Sequence, residues 1–278
     1  MILKRIIIFL LSLLPLIAEN YEDKFYKDDS WHPSGLGFHS DVSYSSYLIE
    51  FHSSEIDTSI DYDILEYSLG VSFSYDDWIW GIYSKILIDE IESNMYILSS
   101  SERLKSLTNI EKHEFGIYTT YKLLQTRNSS WKLNLIYRES HFEAQDLLYG
   151  YHQYQSYFHY KTSDIGLSFL YAHHLTKNHQ FFTSVGLLYA YSTVNISESI
   201  DGKLQDSYIH TKTSAIGNKL ILGYSYHYSD KLTFNSRIDS WRFSFEKLKV
   251  DSRVGDILPK GTLEEKSFST YVGFSLLF

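Results

Sequence analysis

The chain has 278 residues, no cysteine, 17% aromatic residues with 25 tyrosines among them, and a formal net charge of −9. The missing cysteines exclude a disulfide framework, a thiolate metal site and a lipid-modified amino-terminal cysteine, and the acidic balance argues against a nucleic-acid partner, whose phosphates need Lys and Arg. The tyrosine load suits a bilayer interface, where a ring with an apolar body and a wet tip is at home.

Residues 1–18 place Lys4 and Arg5 ahead of an apolar core from Ile6 to Ile17, too short to span a bilayer comfortably. This stretch is expected to be a secretory signal peptide cleaved after Ala18, and its removal takes the net charge from −9 to −11. Residues 19–34 are polar, acidic and patternless, and are expected to be a periplasmic lead-in or the approach to the first strand. Residues 35–278 are a succession of segments that alternate with period two, the signature of strands.

Val42 to His52 is the first strand. Tyr67, Leu69, Val71, Phe73 and Tyr75 mark the second, and Asp76-Asp77 turns the chain into Trp78, Trp80, Ile82, Ser84, Ile86 and Ile88 of the third. A long polar loop is expected over 89–109. Phe115, Ile117, Thr119 and Tyr121 mark the fourth strand, Arg127-Asn128-Ser129 a turn, and Trp131, Leu133, Leu135 and Tyr137 the fifth. Another long loop is expected to about His159. Ile165, Leu167, Phe169 and Tyr171 mark the sixth strand, Lys177-Asn178 a turn, and Phe181 to Tyr191 the seventh. After a loop near 197–205, Leu220, Leu222, Tyr224 and Tyr226 mark the eighth, Ser229-Asp230 a turn, and Leu232, Phe234 and Ile238 open the ninth. The apolar face of the ninth switches near Ser240-Trp241, which predicts a bulge there. A last long loop to about Glu264 leads to the tenth strand, Ser267 to Phe278, with Phe268, Thr270, Val272, Phe274, Leu276 and Phe278 on one face.

Short connections alternating with long ones, strands of bilayer-spanning length and an even strand number predict an all-β chain: a transmembrane antiparallel up-and-down β-barrel of about ten strands, with short periplasmic turns and long extracellular loops. Trp78, Trp80 and Trp131 beside the short turns, and Tyr137 and Tyr191 toward the long loops, would form the interfacial belts. The last strand resembles the closing strand of bacterial outer-membrane β-barrels. That resemblance makes Gly273, Leu276 and Phe278 the signal read by the barrel-assembly machinery, and implies an outer-membrane location among lipid and lipopolysaccharide.

Three further segments resemble the omptin family of outer-membrane proteases. They are Asn94-Met95 after a strand carrying Gly81, the run Tyr137-Arg138-Glu139-Ser140-His141-Phe142, and Gly223-Tyr224 followed by Lys231. The omptin centre needs two Asp residues two apart in the first loop and an Asp two before a His on the opposite wall. Here Ile97 and Ser99 stand at the first pair and Ile196 and Glu198 near the second. Asp206 with His210, or Asp61 with Asp63, are substitutes whose spacing and position do not fit. The resemblance therefore implies the architecture without protease activity, and no catalytic residue is assigned. It further implies lipopolysaccharide binding through the outward segment Tyr-x-Glu-x-Arg, which places Tyr137, Glu139 and His141 at the headgroups, with His159, Lys161 and Lys212 adding positive charge. Exchange of Arg for His141 weakens phosphate recognition.

Alternation points Glu66, Lys85, Glu114, Lys122, Lys132, Arg138, Lys219, Arg237 and Asp239 into the lumen. Mixed signs in a narrow barrel pair and plug more often than they line a wide pore. The expected role is therefore surface interaction, through a host or surface ligand at the outer loops, or envelope structure; the alternative is a small passive channel, with Glu114, Lys132, Arg138, Lys219, Arg237 and Asp239 lining it. His173-His174, His152 and His159 lack a regular metal-ligand spacing such as H-E-x-x-H, so no metal or cofactor is expected.

Overall fold

A computed structural model describes residues 35–52, 57–97, 103–104, 107–126, 128–149, 153–201, 203–204, 209–248 and 261–278. The signal-peptide and lead-in expectations lie outside these residues. Ten long strands run in chain order: β1 Gly35–His52, β2 Asp57–Tyr75, β3 Trp78–Ile97, β4 Leu107–Gln125, β5 Ser129–Tyr149, β6 Gln153–His174, β7 His179–Ile200, β8 Ile209–His227, β9 Leu232–Leu248 and β10 Gly261–Leu277. Two short two-residue strands, Arg103–Leu104 and Lys203–Leu204, pair with β3 and β7. Every long strand pairs antiparallel with its chain neighbours, and β10 pairs with β1, Val42 facing Val272, which closes the barrel.

The outward face near the periplasmic turns is apolar. Leu187 and Val272 are 67% and 64% exposed, which only a lipid environment makes favourable. Trp78, Trp80 and Tyr121 lie against one another, and Trp131 against Tyr171, as an aromatic girdle at this end. Tyr137, Tyr189 and Tyr191 are exposed at the other edge of the belt.

The strands are longer than the bilayer requires. A strand of 22 residues such as β6, tilted in a barrel, rises roughly 55 Å, about twice the ~25 Å apolar band. Where they fall among the described residues, the expected long loops are largely strand: β3 continues to Ile97, and β5 and β6 stay paired from Tyr149 and Gln153 downward.

Above the belt the two faces exchange character. On β5, Trp131, Leu135 and Tyr137 face lipid, but higher up Glu139, His141 and Glu143 face out while Phe142 and Ala144 are buried inside. On β9, Phe234 and Ile238 face out and Trp241, Phe243 and Phe245 face in. The expected bulge at Ser240-Trp241 is thus corrected. Pairing runs unbroken from Leu232 to Phe245, and the irregularity falls between Phe245 and Leu248. Backbone alternation is preserved, and only the outside medium changes from lipid to water.

Inside the belt, glycines admit flat rings. Gly81 faces Tyr118, and Tyr83 faces Gly116, across β3 and β4. Each ring lies so close over its glycine that an added Cβ would overlap it. The two pairs interlock reciprocally and pin the β3–β4 register. Gly81→Val should therefore expel Tyr118 and destabilise the barrel by about 1–3 kcal/mol, read as a lower urea midpoint for loss of the heat-modifiable folded band.

Candidate functional site

Among the described residues, the buried inward side chains form two layers. The lower is a charge lattice in which five carboxylates meet five cations, contributed by eight of the ten strands. Glu66 accepts from Lys112 at 2.8 Å, from Ser45 at 2.7 Å and from Lys85 at 3.4 Å. Lys112 also donates to Tyr47, and Lys85 to Tyr271 at 3.1 Å. Arg138 bridges Asp164, at 2.7 Å, and Glu114, at 3.4 Å, while Tyr83 donates to Glu114 at 2.8 Å. Arg237 lies between Asp41 and Asp239, at 3.7 and 3.4 Å, and Lys219 approaches Asp239 at 4.0 Å. Arginines also stack on rings: Arg138 on Trp241 at 4.8 Å and Arg237 on Tyr271 at 4.1 Å.

The upper layer is a core above the bilayer. Tyr47 stacks on Tyr62, Tyr62 on Phe142, and Trp241, Phe243, Phe245, Ile64, Val194 and Leu263 close around them. Glu265 is the carboxylate buried in this layer, and Tyr160 donates a short hydrogen bond to it. Burial pushes its carboxyl up to about 7, against the Tyr160 hydrogen bond and the cations Arg138 and Lys112, which favour ionisation.

The structure places all six lumen candidates on the inner face, and gives them different surroundings. Glu114, Arg138, Lys219, Arg237 and Asp239 belong to the lattice, while Lys132 sits lower, next to the turn at the start of β5. Lys122 reaches Asp77 at the same end, 2.7 Å away. Among the assembly-signal candidates, Gly273 pairs with Asp41, and Leu276 with Phe38 and Leu232, in the seam of β9, β10 and β1, and Phe278 donates its N–H to Leu36.

The candidate lipopolysaccharide residues form an outward ridge at the upper edge of the belt. Tyr137 donates to Glu139 at 2.6 Å. His141 pairs with Lys161 across β5–β6. Lys161 and Lys212 both pair with Thr193, from opposite sides of β7, so one strand separates them. Asp61 and Asp63 lie on the outer wall, where Tyr44 donates to Asp63; neither faces the mouth. Side chains at 97, 99, 196, 198, 206 and 210 lie outside the described residues.

Two associations were not visible in sequence spacing. His113 stacks on His141, with ring centroids 4.8 Å apart. His141 Nε2 lies 2.8 Å from Glu143 Oε1, with His159 Nδ1 at 3.9 Å from the same oxygen. Partial burial, with His141 and Lys161 alongside, holds the His159 imidazole below its ordinary value, and Glu143 opposes this.

A closed barrel that satisfies its backbone hydrogen bonds around a ring and carries a lipid-facing belt is a transmembrane β-barrel of the outer-membrane kind, and the outer membrane is its location. The chain is similar to several solved barrels of that membrane. These include the translocator domain of the autotransporter NalP from Neisseria meningitidis (10% identity, 90% of each chain, TM-score 0.49). Neisserial surface protein A matches at 12% identity over 88% of this chain and 98% of that one, with a TM-score of 0.36. The toluene transporter TodX of Pseudomonas putida matches at 8% identity over 92% and 95%, with a TM-score of 0.36. No protein-family model and no curated protein matches the sequence.

Two predictions follow from the lumen. Arg138→Met strands Glu114 and Asp164 and should lower stability by about 3–5 kcal/mol, measured by urea unfolding in micelles. The Glu265 carboxyl holds its proton to about pH 7 in the folded barrel and to about 4.5 when unfolded, so its contribution is fully present below 4.5 and is lost as pH rises to 7. Glu265→Gln should therefore unfold at higher urea than the parent at pH 8, by up to about 3 kcal/mol, with the two curves converging at pH 4.

Proposed function

We propose that this outer-membrane barrel works through its outer wall and outer ends, as a surface-interaction or envelope-structural protein, rather than as a pore or a protease. The observation that carries this reading is the pair of inward layers: a charge-balanced lattice under a packed aromatic layer. A passive channel needs a continuous wet path, and here five of its six candidate lining residues, all but Lys132, belong to the lattice of paired charges. The omptin resemblance would place a protease centre at the mouth, yet Asp61 and Asp63 face away from it, and the catalytic types are replaced in the sequence. The ridge of Tyr137, Glu139, His141, His159, Lys161 and Lys212 offers lipopolysaccharide a headgroup contact directly above the acyl-chain belt. Two lysines flanking Thr193 supply charge for a phosphate.

Planar-bilayer recording tests the closed lumen. The refolded barrel should give no reproducible conductance steps, with folding established by heat-modified mobility. Steady unitary steps from the parent chain would replace this reading with the channel. The double variant Lys161→Gln, Lys212→Gln should retain less lipopolysaccharide on purification while folding normally; unchanged retention would remove these lysines from the contact.

A further inference from the structure

We propose that His141, Glu143 and His159 form a binding site for a divalent transition-metal ion of the zinc class, on the outer wall of the barrel above the lipid belt. One donor atom from each residue lies within 4.8 Å of the others. The arrangement is fixed by the ladder. Glu143 pairs directly with His159 across β5–β6, and His141, two residues before Glu143, shares its outward face. Two strands of a closed sheet hold the three side chains at adjoining levels of one face, which is better preorganisation than a loop provides.

The donor set selects the ion. Two imidazoles and one carboxylate suit zinc and its transition-metal neighbours, whereas magnesium and calcium prefer oxygen alone. Tetrahedral zinc holds its ligand atoms about 3.3 Å apart, from Zn–N distances of about 2.0–2.1 Å, so the present spread closes by side-chain rotations of about 1 Å. These side chains are half-buried or exposed and have room to turn.

The neighbours supply a second, independent reason. Glu111 stands directly opposite Glu143 across β4–β5, and both face outward. Like charges directly opposed across a ladder are unfavourable, and a cation between them removes the repulsion. His113 stacks on His141 and buttresses its ring, and water completes the shell. Lys161, opposite His141, opposes the cation and sets the affinity below what the donors alone would give. The site does not depend on whether the lumen conducts.

The test uses the full chain without an affinity tag, refolded into lipopolysaccharide-free micelles, stripped with chelator and dialysed against zinc chloride in millimolar magnesium. Elemental analysis should find about one zinc per chain. His159→Ala and Glu143→Gln should each weaken binding at least tenfold, Lys161→Gln should tighten it, and His52→Ala should leave it unchanged. Equal heat-modified mobility of all variants establishes folding, which these outward side chains do not support. Zinc no higher than the magnesium background, or zinc retained undiminished by a His141→Ala, His159→Ala double variant, would overturn the proposal.

Discussion

The change of medium halfway along the barrel wall governs this structure. Below it the wall meets lipid, so the outside must be apolar and the lumen takes the polar residues. Above it the wall meets water, so the outside becomes polar and the lumen can hold a hydrophobic core. The same ten strands run through both regimes without a break in their alternation. Glu139, His141 and Glu143 continue the row of Trp131, Leu135 and Tyr137 on β5, and Trp241, Phe243 and Phe245 fill the other face of β9 as Phe234 and Ile238 leave the belt. The lattice around Glu66, Glu114 and Arg138 lies at the junction of the two regimes, where buried charges meet the lowest rings of the core.

This inversion explains what was legible in the sequence. Strand number, the periplasmic turns and the outward residues of the belt follow from alternation against lipid, where one face is uniformly greasy. The upper halves of the strands were hidden because a reader following the greasy face sees it vanish. The segment after Tyr137 resembles a polar loop, and Trp241 resembles the product of a bulge. Inward direction could be read from parity alone, as for Arg138 and Asp239, but pairing could not. That Arg138 bridges Asp164 and Glu114 depends on strand registers that one sequence does not reveal.

The histidines give a second case. Spacing rules such as H-E-x-x-H describe a helix face, whereas in a sheet the neighbours of a residue are two positions away and directly across. His113, His141 and His159 are separated by 28 and 18 positions in the chain, yet lie on consecutive strands at adjoining levels. The usable signal was their shared outward parity together with Glu111 and Glu143, and it becomes informative only once the ladder positions are known.

The exchange of faces bears on how such a wall enters the membrane. A hairpin of β5 and β6, taken alone, is greasy on one side in its lower half and on the opposite side in its upper half. No flat interface can satisfy both halves of an isolated hairpin. The aromatic side chains of the upper half touch within the hairpin, as Phe142 does Phe158, and gain further cover from strands across the barrel, as Phe142 on β5 does from Tyr62 on β2. Insertion of the lower half and closure of the upper half are therefore coupled events, and a partly inserted intermediate would display an uncovered aromatic face on the cell exterior.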